Sequence, residues 1–336
     1  MKGVRCRRIR RPERAGGGPG RVSGGPRALP LRVCLSVLAC FLAVYPVAAP
    51  GADGHPAMTD ALGDTLPAGP YPRRIISLSP SLTEALFAVG VDSARIVGVT
   101  RYCDFPPEAR LRPDMGGIID PSLEAIVARQ PDLVLVARGN PLEVQRRIRG
   151  LGFPVFAFDD RTGLRGVREI LGQMVELTGP DDPARARAAL ERFDRVFGEF
   201  AAWSEGLPRD ARPTVYYADP AYPAFTAGAG THIDDLIRLA GGANLAGKSE
   251  GWPQYSAEEL VLRQPRFLLL AAPAGTDRRA ARRRLEETPG WSNLGALRED
   301  RICWIGAETL MRPGPRLLDA LEALAGCLHP ERKRTR

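Results

Sequence analysis

Hydrophobic runs of strand length alternate with amphipathic segments of helical length along most of the chain. Between these runs, apolar residues recur at the spacing of one helix face, and the connections are short. This alternation predicts an α/β fold with mostly parallel sheets that are covered on both faces. The apolar runs taken as strands are Ile75–Leu78, Arg95–Val99, Val155–Phe158, Val215–Tyr217 and Arg301–Ile305.

One helix–strand unit occurs twice in the chain. Residues 122–137 read SLEAIVARQPDLVLVA and residues 256–271 read SAEELVLRQPRFLLLA, with eight identical positions at a constant offset of 134 residues. Each copy is a short amphipathic helix, a proline stop and an apolar strand. We interpret the repeat as a duplication, which predicts two similar Rossmann-like lobes. The alternative is that this punctuation recurs by chance in α/β proteins.

A single long helix is predicted between the two halves. It begins after Asp182, with Pro183 in the first turn, where the missing N–H of proline is harmless. The predicted organisation is an N-terminal lobe over 73–178, a connecting helix over 179–208, a C-terminal lobe over 209–330 and a frayed tail over 331–336. One face of the helix carries apolar residues at helical spacing: Leu190, Phe193, Val196, Phe197, Phe200 and Trp203.

The amino terminus has the layout of a secretory signal peptide. Ten basic residues and one acidic residue give residues 1–49 a charge of +9, so the remaining chain carries about −1 of the total of +8. An apolar stretch, Val33–Tyr45, and small residues follow the basic region. We therefore expect a signal peptide over 1–49, export to the periplasm and a mobile linker over 50–72. A membrane anchor is disfavoured by the short apolar run, and lipidation at Cys40 by the apolar residues after it.

Charge and cysteine content limit the classes of partner and the number of possible disulfides. The chain after residue 49 is nearly neutral, so it lacks the excess of basic residues that is typical of nucleic-acid-binding proteins. After cleavage of the signal peptide, Cys103, Cys303 and Cys327 remain. Cys303 and Cys327 could pair if their faces match, because export permits a disulfide without demanding one.

Motifs for catalysis are sparse. The chain has no P-loop, no G-x-S-x-G elbow and no H-E-x-x-H. Gly228–Gly230 opens a helix as a dinucleotide loop would, but the third glycine is missing, and a tight turn before a capped helix explains the glycines better. His232 is expected to be a solvated first-turn residue, or else to line the cleft. We expect no enzyme activity, no cofactor and no metal site. The alternative is an exported metal-dependent enzyme that uses the loop carboxylates Asp104, Asp159, Asp160 and Asp219.

Aromatic and planar cationic side chains follow the predicted strands in both halves. Ligands of open α/β sheets bind outside the carboxyl ends of the strands, and aromatic rings there offer broad apolar area. We therefore expect a ligand between the lobes. The candidates are Tyr102, Arg138, Tyr222 with Phe225, Trp252 and Arg312. A cleft made electropositive by Arg138 and Arg312 would favour an anionic chelate, whereas an apolar aromatic cleft would favour a corrin.

Five segments together resemble the periplasmic cobalamin-binding proteins of ABC importers, and more broadly the cluster that also binds ferric siderophores and haem. They are RIISLSPSLTEALFAVG, GVTRYCDFPPEA, SLEAIVARQPDLVL, GWPQYSAEEL and RPGPRLL. The resemblance implies two lobes joined by a rigid helix, with cobalamin or a related corrinoid between them. It implies that Tyr102 lies against the corrin and that Trp252, Phe225 and Arg312 line the pocket. Ile118 and Ala137 stand where a relative has tryptophans, which implies a less aromatic pocket and leaves a ferric siderophore or haem as the alternative ligand.

The repeated glutamates, Glu124 and Glu258, are candidates for docking. A two-fold permease offers two equivalent sites, so a monomer that meets both needs two similar patches. The resemblance implies that these glutamates dock into arginine pockets of an ABC permease dimer, which works with its ATPase subunits. The alternative is that each glutamate only stabilises its helix dipole, which is worth about 0.3–1 kcal/mol.

Overall fold

The computed structural model describes residues 54–219 and 225–334. The expected signal peptide and Tyr222 lie outside the described residues. The segment expected to be a mobile linker is instead ordered from Gly54 to Pro72. It forms β1 (Gly54–His55), β2 (Met58–Thr59), β3 (Thr65–Leu66) and β4 (Gly69–Pro70), with β1 paired to β4 and β2 to β3, both antiparallel.

Asp60 explains why this segment is held. Its Oδ2 accepts hydrogen bonds from the Ala157 N–H at 3.1 Å and from Arg149 Nη2 at 3.0 Å. Only 1% of the Asp60 side chain is exposed. Because an unpaired buried carboxylate is costly, these contacts fix the segment against the first lobe, and the linker prediction is wrong over 54–72.

The first lobe is built on a four-stranded parallel sheet in the order β6-β5-β7-β8. Every residue of its central strands β5 and β7 is buried, which accounts for their continuous hydrophobic sequence. The elements are β5 (Ile75–Ser77), α1 (Pro80–Ala88), β6 (Ile96–Val99), α2 (Leu123–Arg129), β7 (Leu133–Ala137), α3 (Leu142–Gly150) and β8 (Val155–Phe158).

Two helices follow the first sheet and precede the second along the chain: α4 (Gly163–Thr178) and α5 (Pro183–Glu205). The carboxylate of Asp182 caps α5 by accepting from the Arg185 N–H at 2.9 Å. With 23 residues, α5 is about 34 Å long. Its buried Phe193 and Phe200 belong to one hydrophobic core that includes the sheets of both lobes. The lobes are therefore packed on a shared helical layer as well as joined by the chain.

The second lobe repeats the arrangement of the first. Its parallel sheet has the order β10-β9-β11-β12, so in each lobe the second strand lies outermost, followed by the first, third and fourth. The elements are β9 (Thr214–Ala218), α6 (His232–Leu239), β10 (Ala243–Asn244), α7 (Ala257–Arg263), β11 (Phe267–Ala272), α8 (Arg278–Glu287), α9 (Gly295–Arg298), β12 (Ile302–Gly306), α10 (Ala307–Leu310) and α11 (Leu317–Leu328).

The repeated unit has the same local structure in both lobes. The hydroxyls of Ser122 and Ser256 cap α2 and α7, accepting from the N–H three residues on at 3.2 Å and 3.1 Å. Each helix ends at a glutamine in the left-handed region, Gln130 and Gln264, both with φ 44°. A non-glycine residue seldom adopts this conformation. Its recurrence at the same offset of 134 residues confirms the predicted duplication.

A disulfide and a ring contact hold the carboxyl-terminal part of the chain in place. Cys303 on β12 and Cys327 on α11 form a disulfide. The tail is less frayed than expected, because Pro330–Arg334 forms one 3-10 turn and Arg332 lies 3.8 Å from the centre of the Phe200 ring. Among the residues described, no helix has both the length and the apolar character of a membrane span. Further 3-10 turns cover Ser93–Arg95, Pro107–Leu111, Arg209–Ala211 and Trp291–Asn293.

Candidate functional site

A cavity of about 280 Å³ lies where the carboxyl ends of the first-lobe strands meet the second lobe. Open α/β sheets bind ligands at this edge. The first lobe contributes Ser79–Ser81, Tyr102, Ile118, Ala137, Gly139, Asn140 and Asp160, and the second lobe contributes Met311, Arg312 and Pro313. The cavity thus contains Tyr102 and Arg312 from the candidate residues, and also Ile118 and Ala137.

Asn140 fixes the first-lobe wall of this cavity. Its Nδ2 donates to the Leu78 carbonyl at 3.0 Å and to the Ile118 carbonyl at 2.9 Å, while its Oδ1 accepts from the Ala137 N–H at 2.8 Å. The residue is almost fully buried. A buried amide with satisfied donors and acceptor rigidifies its surroundings, so three loops are held in one arrangement.

Tyr102 is displayed by a tightly fixed turn. The neighbouring Cys103 is buried, and its Sγ lies 3.2 Å from the Thr83 hydroxyl and 3.1 Å from the Thr100 hydroxyl. Burial raises the pKa of the Cys103 thiol. Tyr102 itself is 50% exposed. The turn therefore presents an aromatic ring to the cleft from a rigid base.

The second lobe presents two aromatic side chains, Trp252 and Phe225, which are 48% and 40% exposed. Phe225 forms a backbone bridge with Gln254, so the two loops run side by side. The Trp252 ring packs edge-on against Tyr217, with centroids 6.1 Å apart. These aromatic side chains leave part of their apolar surface open to a ligand.

His232 is not the solvated residue that the sequence favoured. Its ring packs against Trp252 at 6.3 Å between centroids, and its Nε2 lies 3.1 Å from the Leu310 carbonyl. Burial lowers the pKa of His232 to about 4. At neutral pH the His232 imidazole is therefore uncharged where it packs against the Trp252 ring.

An ion cluster joins the two lobes at one side of the cavity. Glu84 of α1 receives two hydrogen bonds from Arg316, at 2.8 Å to Oε2 and 2.5 Å to Oε1. Arg312 lies 3.4 Å from Glu84 Oε1 and donates to both oxygens of Asp104, at 2.5 Å and 3.3 Å. The Arg316 guanidinium also lies 4.1 Å from the centre of the Phe105 ring.

Glu84 contacts the second lobe and does not cap its own helix. The spacing of Ser81 and Glu84 is that of a capping box, but α1 begins after Ser79 and has no side-chain cap. Glu84 is instead buried, with 2% of its side chain exposed, against arginines of the other lobe.

Ion pairs also neutralise the cationic candidates of the cleft. The hydrogen bonds from Arg312 hold the pKa of Asp104 below its usual value. Burial alone would lower the pKa of Arg312, but its bonds to Asp104 and Glu84 raise it. Arg138 pairs with Asp159 at 3.2 Å and also approaches the Ala61 carbonyl at 3.3 Å. Arg138 is not among the residues that line the cavity.

Gly228 permits a close approach between two loops. A Cβ at Gly228 would lie 2.1 Å from the Ser249 carbonyl oxygen. The N–H groups of Gly228 and Ala229 donate to the Gly251 and Ser249 carbonyls at 2.8 Å and 2.7 Å. These N–H groups are therefore not available to cradle a phosphate, and the tight-turn interpretation accounts for the sequence.

The repeated glutamates are displayed symmetrically. Glu124 and Glu258 each occupy the second position of their helix and are exposed. Hydrogen bonds from its own N–H and from Ser256 lower the pKa of Glu258. Since α2 and α7 each lead into the amino end of the next strand, both glutamates lie toward the carboxyl edge that borders the cleft.

The sequence did not single out several residues of the site. Ser79, Asn140 and Met311 lack any motif, and only their places after β5, after β7 and beside Arg312 could have indicated them. Among the described residues, no group of three or more His, Cys, Asp or Glu side chains is arranged to hold a metal ion. Among the described residues, the cavity wall is mostly apolar, and its one arginine, Arg312, is paired with Asp104 and Glu84.

Known proteins share this architecture. The chain is 30% identical over 267 residues to the vitamin B12-binding protein of Salmonella typhimurium, covering 79% of this chain and 93% of the relative. It is 28% identical over 277 residues to the cobalamin-binding protein of Halobacterium salinarum, covering 80% and 73%.

Solved structures give the same picture. The periplasmic vitamin B12 binding protein of Vibrio cholerae has a TM-score of 0.64 at 25% identity, covering 78% of this chain and 98% of that one. A periplasmic heme binding protein from Pseudomonas aeruginosa has a TM-score of 0.66 at 26% identity, covering 77% and 93%. The family model described as periplasmic binding protein matches residues 75–309, so this chain belongs to the periplasmic binding protein family.

Proposed function

We propose that this protein is the substrate-binding protein of an ABC importer, which captures cobalamin or a related corrinoid between its lobes and delivers it to the permease. The single observation that carries the choice of ligand is that both cationic candidates are paired: Arg312, which lines the cavity, and Arg138, which does not. Arg312 is paired with Asp104 and Glu84, and Arg138 with Asp159. A cavity in which every described cation is paired favours a ligand that binds through its ring and neutral polar groups over a multiply anionic chelate.

The shape of the cleft supports a large, flat ligand. The cavity measures about 280 Å³, slightly below the range of about 300–1,000 Å³ for pockets that hold drug-sized molecules. A corrinoid is larger, so it would fill this cavity and extend over the exposed rings of Tyr102, Phe225 and Trp252. Such rings supply contact area with little loss of conformational entropy.

Names of relatives support the same choice. Both sequence relatives described above are named for binding vitamin B12 or cobalamin. The solved heme binding protein of the same fold keeps haem as the second candidate, and Ile118 and Ala137 on the cavity wall favour a pocket that is less aromatic at that side.

Delivery would use Glu124 and Glu258. A monomer with one carboxylate on each lobe matches a permease dimer whose two halves present equivalent arginines. Carboxylate–arginine pairs give bidentate, directional contacts. The shared core that packs both lobes on α5 would carry the two glutamates as one body, and the permease would work with its ATPase subunits.

The remaining parts of the proposal concern location and chemistry. The protein would be exported to the periplasm after removal of a signal peptide, with lipidation as a variant of the same route. It would act by binding and release, with the corrinoid as cargo and without a cofactor of its own. A second class, a metal-dependent hydrolase, would require a ligand cluster or an acid–base pair in the cleft.

The test is calorimetric titration of the purified protein with cyanocobalamin, dicyanocobinamide, haem and a ferric siderophore. We expect at least one corrinoid to bind saturably at a one-to-one ratio, with a higher affinity than haem or the siderophore. Absence of heat and of thermal stabilisation with both corrinoids, together with binding of haem, would replace the proposal by its second candidate.

A further inference from the structure

One carboxyl group on the cavity wall is left outside the ion pairs of the cleft. Asp160 follows the end of β8, and its side chain lines the cavity together with Ala137 and Asn140. Its Oδ1 is buried and has no hydrogen-bond partner among the described residues. A buried acceptor without a donor is unfavourable, so a ligand that brings a donor to this wall gains an interaction that the empty cleft lacks.

The arginines nearest to Asp160 in the chain form their ion pairs with Asp159 instead. Arg138 and Arg161 both pair with Asp159, at 3.2 Å and 3.4 Å. Burial raises the pKa of Asp160, while hydrogen bonds from its own N–H and that of Gly139 oppose the rise. Arg312, on the opposite wall, is held by Asp104. The first-lobe wall therefore offers a hydrogen-bond acceptor where a ligand carboxylate would find no partner.

We propose that Asp160 is a specificity-determining residue, which accepts a hydrogen bond from a primary amide of the ligand and disfavours ligands that place a carboxylate there. The inference rests on the proposed function. Corrinoids carry primary amides around the ring, and each amide has two N–H donors. Haem and many ferric chelates instead carry carboxylates, which accept but do not donate when ionised and are repelled by a like charge.

The test compares two corrinoids on the same ring: dicyanocobinamide, whose side arms are amides, and dicyanocobyrinic acid, whose side arms are carboxylates. Wild-type protein is expected to prefer the amide. Asp160→Ala is expected to weaken binding of dicyanocobinamide about tenfold, the size of one charge-assisted hydrogen bond, without weakening binding of the acid.

Asp160→Asn separates the acceptor from the charge. Its amide oxygen still accepts, so dicyanocobinamide should bind within about threefold of wild type, and its NH2 group donates, so the acid should bind about tenfold tighter. Glu143→Gln is the charge-matched control, because it removes one negative charge from the exposed helix α3 outside the cavity. It should change neither affinity.

The outcomes separate this inference from the proposed function. Wild-type protein that binds neither corrinoid overturns the proposed function. Wild-type protein that binds dicyanocobinamide, with Asp160→Ala unchanged for both ligands or weakened equally for both, overturns the role of Asp160 alone. Thermal unfolding of each variant reports folding, and if Asp160→Ala does not fold, the isosteric Asp160→Asn decides through its affinity for the acid.

Discussion

The ion cluster between the lobes predicts that Glu84→Gln is strongly destabilising. The side chain of Glu84 is 2% exposed, and those of Arg312 and Arg316 are 20% and 18% exposed. Removing one member of a buried ion pair leaves an uncompensated charge, which costs about 3–5 kcal/mol. Because Arg312 keeps Asp104 as a partner, we expect the lower end, about 3 kcal/mol. With an unfolding entropy of about 2.1 cal/mol/K per residue over about 280 residues, the corresponding fall in Tm is about 5 °C.

The exposed pair of Glu143 and Arg147 is the matched control. Both side chains are 63% exposed and their contact is 3.0 Å at i,i+4 spacing, so Glu143→Gln should cost about 0.3–0.5 kcal/mol. Urea unfolding followed by circular dichroism measures both variants. Salt at 1 M should abolish the effect of Glu143→Gln but leave most of that of Glu84→Gln, since buried pairs are screened less. Equal shifts of the two unfolding midpoints would show that burial does not make the ion pairs of Glu84 more stabilising than the exposed pair.

Three further predictions follow from the site and the fold. Replacing Glu124 and Glu258 together by Ala should abolish stimulation of the cognate permease's ATPase while cyanocobalamin affinity is unchanged; full stimulation would exclude docking through these residues. Burial lowers the pKa of His232 to about 4, below the value of about 6.5 for an unfolded histidine. The unfolded state therefore binds more protons between these values, and this histidine's contribution makes stability fall as the pH drops from about 6.5 to about 4. Nuclear magnetic resonance titration that places this pKa near about 6.5 would contradict the prediction. Replacing Cys303 and Cys327 by Ser should lower the free energy of unfolding by about 3 kcal/mol, from the loop that the disulfide closes, and an unchanged urea midpoint would argue against that contribution.

Features encoded by neighbouring residues could be predicted from the sequence. The serine caps and the proline after each repeated helix act within one turn, so the pattern gave α2, β7, α7 and β11 at their places. The alternation of apolar runs and amphipathic segments fixed the class of fold, because parallel strands buried on both faces require continuous hydrophobic sequence.

Features that depend on distant partners could not be predicted. Glu84 has the spacing of a cap, but its arginine partner lies 232 residues away. Arg312 and Arg138 stood out as free cations because the sequence does not show which carboxylates meet them. Likewise, the segment 54–72 has the composition of a linker, and only the buried contacts of Asp60 show why it is ordered.

We expect a corrinoid to bind between the lobes against Tyr102 and Trp252. Titration of cyanocobalamin into wild-type protein and into the Tyr102→Ala/Trp252→Ala double variant tests it most directly, because both side chains are about half exposed and their loss should leave the fold intact. The double variant is expected to stay folded, with a cooperative unfolding transition, but to bind at least about a hundredfold more weakly, from two aromatic contacts of about 1.5 kcal/mol each. Equal affinity of the two proteins would contradict it.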